Sequence, residues 1–204
     1  MTKVLVIDSA ATGAESVSRK LVDSLVDSLA AHGERIEIVR RDIGTEPMPH
    51  LTPDTVPAIR TGEAATEAGR AALALSDQLV EELRSAELVV IGAPMYNFGM
   101  PSTLKAWFDH VLRARVTFRY TEAGPEGLMT GKKAIVVESR AGLYSEGPAM
   151  QMDSQEPHLR NLLGFMGITD VTFVRAEKLA FGPEAAEAAM AEARAQLHEL
   201  ALAA

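Results

Sequence analysis

The chain has 204 residues, a length typical of one domain with a sizeable core, and we expect residues 1–204 to form a single domain. Its 20 Lys and Arg against 28 Asp and Glu give a formal net charge of −8, which argues against nucleic acid or an anionic membrane as the main partner. The chain has no cysteine, which excludes disulfides, thiol catalysis and cysteine metal sites.

A metal site is also not expected, because the histidines lack the close spacing of metal ligands. They stand at His32, His50, His110, His158 and His198. The chain starts with an apolar run of only four residues before Asp8, too short for a signal peptide or a membrane span. A cytoplasmic protein is therefore the default expectation.

The first elements form a strand, a hydroxyl-rich junction and a helix. Lys3–Ile7 is a β-branched run that predicts a strand, and the polar segment Asp8–Ser18 follows it. An apolar stripe at helical spacing over residues 21–29 predicts a helix that ends near His32-Gly33, since glycine is a common helix stop. Ile36–Val39 predicts the second strand.

A long connection follows from Asp42 to about Ala65, with four prolines and little periodicity. Connections of this length are uncommon in compact domains unless they are functional or contain a short helix of their own. We interpret it as an excursion over the surface that lines a pocket or a partner chain. Apolar residues at helical spacing then predict a helix from about Thr66 to Arg84.

The central strand is predicted at Leu88–Gly92, an apolar run typical of a strand buried on both faces, and Pro94 ends it. The loop Pro94–Met100 follows, with backbone freedom expected at Gly99, and a helix begins after Pro101. This loop therefore lies at the carboxyl end of a central strand. Ligands bind at that edge of open α/β sheets.

The second half begins with Val116–Tyr120, whose alternation puts Phe118 and Tyr120 on the opposite face from Arg119. Glycines and a proline in residues 121–131 favour a small strand or hairpin excursion. The remaining predicted elements are a fourth strand, a helix, a fifth strand and a last helix: Lys133–Val137, about His158–Met166, Val171–Val174 and Pro183–Leu202.

Five strands alternating with helices predict an α/β fold, a doubly wound parallel sheet with helices on both faces. If the strand order is 2-1-3-4-5, the ends of strands 1, 3 and 4 meet at one crevice. Three atypical junctions would then line a single site: Ser9–Ser18, Pro94–Met100 and Ser139–Gly142.

The first junction has neither GxGxxG nor GxxxxGK, which argues against a dinucleotide fingerprint and a P-loop. Ser16 and Ser18 stand at a helix start, where free amides and the helix dipole hold a phosphate. Serine is also a favoured N-cap, and the two roles are compatible. In the second junction, Met95, Tyr96 and Phe98 either anchor the core or, with Asn97, face a heteroaromatic cofactor.

At this point the sequence resembles the FMN-dependent NADH:quinone reductase/azoreductase family. The resemblance runs in order from KVLVIDS to FGPE near the last helix, and it is carried by PMYNF (Pro94–Phe98), SRAG (Ser139–Gly142), Ser9 with Ser16-Val17-Ser18, and the run Val116–Lys133. It implies a flavodoxin-like fold, a non-covalently bound FMN, NADH as co-substrate and a homodimer with two sites at the interface.

The resemblance also implies roles by position. The phosphate would be held by Ser9, Ser16, Val17 and Ser18. The isoalloxazine would be covered and hydrogen-bonded at its edge by Met95, Tyr96, Asn97 and Phe98. Its other edge would be contacted by Ser139, Arg140, Ala141 and Gly142. Phe118 and Tyr120 are candidates for lining the substrate space or for core packing, and no catalytic side chain is assigned.

Three positions qualify these roles. Ala10 stands where the family often has a second hydroxyl, and Ala141 stands where the family commonly has glycine. An alanine at 141 would be costly if the backbone there needs φ > 0. Arg140 either sets charge near the pyrimidine edge of the ring or is solvated. The sequence shows no strong basic pocket for the extra phosphate of NADPH, which favours NADH, although Arg60, Arg113 and Arg115 cannot be placed from sequence.

The implied reaction has two steps: NADH delivers hydride to the flavin, and a quinone or azo compound then takes two electrons. Alternatives are a flavodoxin-fold FMN reductase, a nitro-compound or chromate reductase, and a non-enzymatic electron carrier. The excursions at 42–66 and 116–131 favour an enclosed small-molecule site over a carrier with an open flavin edge.

Overall fold

A five-stranded parallel sheet forms the centre of the protein, described by a computed structural model over residues 1–31 and 35–203. The strand order is β2-β1-β3-β6-β7, with a separate antiparallel hairpin of β4 and β5. The strands are β1 Thr2–Asp8, β2 Ile36–Asp42, β3 Leu88–Pro94, β4 Phe118–Thr121, β5 Gly124–Gly127, β6 Lys133–Ser139 and β7 Asp170–Ala176. The predicted order 2-1-3-4-5 is confirmed, because the five sheet strands follow it when the hairpin is set aside.

Helices cover both faces of the sheet. They are α1 Val17–Ala31, α2 Thr55–Thr61, α3 Glu67–Ser85, α4 Ser102–Val111, α5 Glu156–Met166 and α6 Pro183–Leu202, with short 3₁₀ turns at Gly13–Glu15 and Pro148–Met152. Alternate residues of β3 point to opposite cores, as the period of a strand requires. Val89 and Ile91 pack with α3, α4 and α5, whereas Leu88 and Val90 pack with α1 and α6.

Several element ends differ from the sequence prediction for identifiable reasons. β2 continues to Asp42 because its charged residues are paired, Arg40 with Asp8 and Arg41 with Glu82. β3 includes Pro94 as its last residue, where the missing N–H removes no interior ladder bond. The predicted end of α1 at His32-Gly33 lies outside the described residues.

Two helices add to the predicted elements or extend them. The connection after β2 contains the short helix α2, which ends at Gly62 with φ 78°, a left-handed conformation that suits glycine. α5 begins earlier than predicted, since the Asp153 carboxylate accepts the N–H groups of Gln155 and Glu156 and so starts the helix.

The hairpin after α4 packs onto the body of the protein through one face. Phe118 is buried and meets the Phe165 ring edge-on at 4.6 Å, whereas Tyr120 is 73% exposed. A Cβ at Gly127 would lie 2.1 Å from the Gly167 nitrogen, so only glycine allows this approach. No helix within residues 1–31 and 35–203 is both long and apolar enough to cross a membrane.

Candidate functional site

The three junctions predicted to line one site come together at the carboxyl edge of β1, β3 and β6, which are neighbours in the sheet. The Ala11 N–H donates to the Tyr96 hydroxyl at 3.1 Å and joins the first junction to the loop after β3. The Met95 N–H donates to the Ser139 carbonyl at 2.9 Å and joins that loop to the third junction. The strand order and two hydrogen bonds thus fix the three segments side by side.

The first junction ends in a capped helix. Ser16 precedes α1, and its hydroxyl accepts the Arg19 N–H at 3.3 Å, which is the N-cap arrangement. The Ser16 and Ser18 hydroxyls lie 3.0 Å apart. The Val17 and Ser18 N–H groups, in the first turn of α1, have no carbonyl within the helix to bind. Serine hydroxyls and free amides at the positive end of a helix suit a phosphate.

Ser9 and Ala10 lie deeper in this junction. The buried Ser9 hydroxyl donates to the Gly92 carbonyl at 2.6 Å, so its proton is used within the sheet. Ala10 is also buried, and a Cβ at Gly44 would lie 2.1 Å from its carbonyl oxygen. Gly44 was not singled out from the sequence, yet it is the residue that allows the loop after β2 to pass this junction.

The loop after β3 contains a tight turn over Tyr96–Gly99. Tyr96 and Gly99 exchange two backbone hydrogen bonds, at 2.9 Å and 3.1 Å, around Asn97 with φ 48° and Phe98 with φ 70°. Two successive positive φ angles are the pattern of a type I′ turn. The left-handed residues of the turn are Asn97 and Phe98, whereas Gly99, where backbone freedom was expected, does not have a positive φ. A bulky residue such as Phe98 carries a strain of about 1–3 kcal/mol there.

This turn presents groups that suit a flat heteroaromatic ring. The Tyr96 and Phe98 side chains are 37% and 39% exposed, so neither is a core anchor. Among the described residues, none accepts a hydrogen bond from the Asn97 or Phe98 N–H. Aromatic faces beside free amide donors match the surface and edge of an isoalloxazine, so the residues present fit FMN.

The third junction corrects the expectation for Arg140. The interpretation as a solvated side chain is wrong, because Arg140 is 0% exposed. Its guanidinium binds Glu138 at 2.7 Å, Asp153 at 3.0 Å and Glu177 at 3.2 Å. The two outer carboxylates were missed from the sequence, although Glu177 directly follows β7 and Asp153 stands just before α5. A buried cation with these carboxylate partners fixes the backbone around it.

The backbone conformation at residue 141 is compatible with alanine. Its φ lies outside the left-handed region, so alanine carries no conformational penalty there. The Ala141 and Gly142 carbonyls accept the N–H groups of Ala180 and Lys178 at 3.0 Å and 2.9 Å. The segment after Ser139 is thus held against the chain that follows β7.

The carboxylates around Arg140 titrate in opposite directions. Burial raises the pKa of Glu138 to about 8, although Arg140 opposes this shift. Burial also disfavours ionisation of Glu177, but hydrogen bonds from Ser145, Tyr144 and Arg140 lower its pKa below the ordinary value. Over residues 1–31 and 35–203, no group of three or more His, Asp or Glu is arranged to hold a metal ion.

Phe118 and Tyr120 lie apart from the three junctions in the same chain. They line a groove of about 410 Å³ between α2, the carboxyl end of α4 and the hairpin. Arg60 and Arg113 line it as well, and Arg113 is buried and paired with Asp77. Of the two roles predicted for this aromatic pair, Phe118 has the core-packing role because it is buried. Tyr120 is exposed and remains available to a ligand or a partner chain.

Comparison with known proteins identifies relatives over the whole chain. Residues 2–201 match the model of a family described by a flavodoxin-like fold. The chain is 53% identical over 201 residues to the FMN-dependent NADH:quinone oxidoreductase of Hyphomonas neptunium, covering 98% of this chain and 96% of that protein. The corresponding protein of Azotobacter vinelandii is 48% identical over 202 residues, covering 98% and 100%.

Solved structures agree with the sequence relatives. The azoreductase from Bacillus anthracis strain Sterne superposes with a TM-score of 0.89 at 30% identity, covering 98% of this chain and 99% of that one. An FMN-dependent NADH-azoreductase from the Ames Ancestor strain, solved in complex with FMN, has a TM-score of 0.87 at 26% identity, covering 98% and 100%. The sheet order, the converging junctions and these likenesses together show that the chain belongs to the flavodoxin-like family of FMN-dependent NADH:quinone oxidoreductases and azoreductases.

Proposed function

We propose that the protein is an FMN-dependent NADH:quinone oxidoreductase that also reduces aromatic azo compounds. The observation that carries the proposal is the convergence of free N–H groups and exposed aromatic faces at the carboxyl edge of the sheet. The relatives named for this activity, which cover nearly the whole chain, support it. Its location would be the cytoplasm, where NADH is available.

The residues divide between the two ends of the cofactor. The Val17 and Ser18 N–H groups with the Ser16 and Ser18 hydroxyls would hold the phosphate. Ser9 would support them from behind, since its own proton is bound to Gly92.

At the ring end, the side chains of Met95, Tyr96 and Phe98 would pack on the isoalloxazine. The Asn97 and Phe98 N–H groups would donate to acceptors on its edge. The backbone of Ser139, Arg140, Ala141 and Gly142 would contact the other edge.

When bound, FMN would supply the redox chemistry, a two-electron transfer between NADH and the acceptor. In balance, NADH, a proton and a quinone give NAD⁺ and a hydroquinone. Cleavage of an azo bond to two amines takes four electrons, hence two NADH and two further protons. The side chains bind and orient the reactants, and none is assigned as a proton donor.

The proposal includes a homodimer with its sites at the interface. Support comes from large side chains left uncovered on the single chain, among them Tyr120 at 73% and Phe181 at 63% exposure. A partner chain would cover side chains of this kind. Light scattering at micromolar protein tests this part, with the mass of two chains expected and the mass of one chain contradicting it.

Steady-state kinetics test the activity and its two-step order. We expect NADH consumption with a benzoquinone and no added protein, and parallel double-reciprocal lines when NADH is varied at several quinone concentrations. Intersecting lines would contradict separate half-reactions. Flavin binding without NADH consumption would favour an electron carrier, and faster turnover of nitroaromatics or chromate than of any quinone would favour the alternative reductases.

A further inference from the structure

Phe98 is held in its left-handed conformation from two sides. Its ring meets the Tyr144 ring edge-on, with the centroids 6.0 Å apart and the planes at 77°. Its carbonyl accepts the Ser154 N–H at 2.9 Å. A bulky residue keeps such a conformation only where its surroundings over-determine it. What fixes Tyr144 and Ser154 therefore fixes Phe98.

The contact to the ring is held by Glu177. Its Oε1 accepts the Tyr144 N–H at 2.8 Å and the Ser145 N–H at 3.0 Å, and the Ser145 hydroxyl donates to its Oε2. Arg140 Nη1 donates to the same Oε1 at 3.2 Å. Arg140 thus orients the carboxylate that sets the backbone of Tyr144.

The contact to the carbonyl is held by Asp153. One oxygen accepts the Gln155 and Glu156 N–H groups, while the other lies 3.0 Å from Arg140 Nη2. Ser154, whose N–H donates to the Phe98 carbonyl, lies between Asp153 and Gln155 in the chain. The buried Gln155 side chain also donates to the Ala93 carbonyl at 2.9 Å and ties this segment to the end of β3.

The charges in the cluster leave Arg140 free to hold both contacts. Glu138 is its nearest buried neighbour, but burial keeps Glu138 largely neutral at pH 7, because its pKa is raised to about 8. Glu156 is occupied by Arg160 and Arg175. Glu156 Oε2 lies farther from Arg140, at 3.8 Å, so the close pairs of Arg140 outside Glu138 are with Asp153 and Glu177, one for each contact.

We propose that Arg140 is a positioning residue: through Glu177 and Asp153 it holds Phe98 and the Tyr96–Gly99 turn in the strained form that faces the flavin ring. Only the FMN-binding measurement of this inference rests on the proposed function. The Arg140 guanidinium touches neither the Phe98 ring nor its carbonyl in the described contacts, so its effect on the turn passes through other residues.

The test compares Arg140→Met with Arg41→Met in the full-length protein. Arg41 makes a partly buried pair with Glu82 at the far edge of the sheet, so its loss costs an ion pair away from the turn. We expect Arg140→Met to weaken FMN binding about tenfold, by fluorescence quenching, and Arg41→Met to leave it unchanged. In a Phe98→Gly background, where positive φ carries no penalty, the Arg140 effect should disappear.

Amide hydrogen exchange of the flavin-free protein gives an independent readout. The Ser154 and Gly99 N–H groups report the two hydrogen bonds around the turn, and both should exchange faster in Arg140→Met but not in Arg41→Met. Unchanged exchange at these amides would overturn the proposal, even if the protein proved to bind no flavin. Should Arg140→Met not fold, Asp153→Asn retains an amide oxygen to cap α5 and removes one contact. It should speed Ser154 exchange, and no change there would also overturn the proposal.

Discussion

The two ends of the candidate site are built in different ways. The phosphate end depends on Ser16–Arg19, where a serine cap and free amides lie within one turn of helix. The ring end depends on Phe98, Arg140, Asp153 and Glu177, which the fold brings together from distant parts of the chain. Short-range chemistry can be predicted from a sequence, whereas a strained turn held by distant charges cannot. Gly44→Ala and the serine variants change the phosphate end alone, Glu138→Gln changes the ring end alone, and Tyr120→Ala lies outside both.

The largest effect is expected from Gly44→Ala, beneath the phosphate end. The added Cβ would lie 2.1 Å from the Ala10 carbonyl oxygen, and backbone must shift to relieve the clash. We expect the free energy of unfolding to fall by about 3 kcal/mol or more, measured by urea denaturation. Gly164→Ala is the control, because nothing lies within 4 Å of its new Cβ and the position is helical. An equal loss in both variants would contradict the close approach at Ala10.

The next largest effect is a pH dependence at the ring end. Burial raises the pKa of Glu138 from 4.5 to about 8, so the native protein keeps a proton that the unfolded chain releases. The native state therefore binds more protons between these values, and stability falls as pH rises through that window. We expect Glu138→Gln to remove a decline of about 3 kcal/mol between about pH 5 and pH 7.5.

Urea denaturation of both proteins at the two pH values measures this difference. Groups with lowered pKa, such as Glu156 and Glu177, act with the opposite sign and mainly below their ordinary pKa. Burial also raises the pKa of Asp8, but Asp8 is present in both proteins, so the difference between them isolates Glu138. Identical pH slopes for Glu138→Gln and the unchanged protein would show that Glu138 is ionised in the fold.

A smaller effect is expected at the phosphate end from Ser16→Ala combined with Ser18→Ala. Loss of the cap should cost about 1 kcal/mol of stability, and loss of the hydroxyls should weaken FMN binding about fivefold. Thr66→Ala removes the N-cap of α3, whose hydroxyl accepts the Gly69 N–H at 3.0 Å, and should cost similar stability without affecting flavin. An unchanged flavin titration for the double serine variant would refute the phosphate assignment.

The smallest effect on the fold is expected from Tyr120→Ala. This side chain is 73% exposed, so the free energy of unfolding should change by less than about 0.5 kcal/mol. If Tyr120 lines the substrate space, the KM for a quinone should rise while FMN affinity stays constant. An unchanged KM would restrict the substrate site to the three junctions.

The sheet and the positions of the junctions were predictable because apolar runs and helix-start signals are local. Ser16 as an N-cap follows from residue type and spacing in the same way. The left-handed backbone of Phe98 was not predictable, since a bulky residue rarely adopts a positive φ and Gly99 was the residue of this loop expected to have backbone freedom. The burial of Arg140 was not predictable either, because its partners Glu177 and Asp153 lie just after β7 and just before α5, and their distance from Arg140 depends on the fold.

Anaerobic visible spectroscopy of the purified protein tests the central claim most directly. After incubation with FMN and removal of excess, flavin absorbance should remain with the protein, bleach on addition of NADH and return on addition of a benzoquinone. That sequence would demonstrate a bound flavin and both half-reactions without a protein partner. A protein that stays colourless after incubation would contradict the claim, because the three junctions would then not form a flavin site.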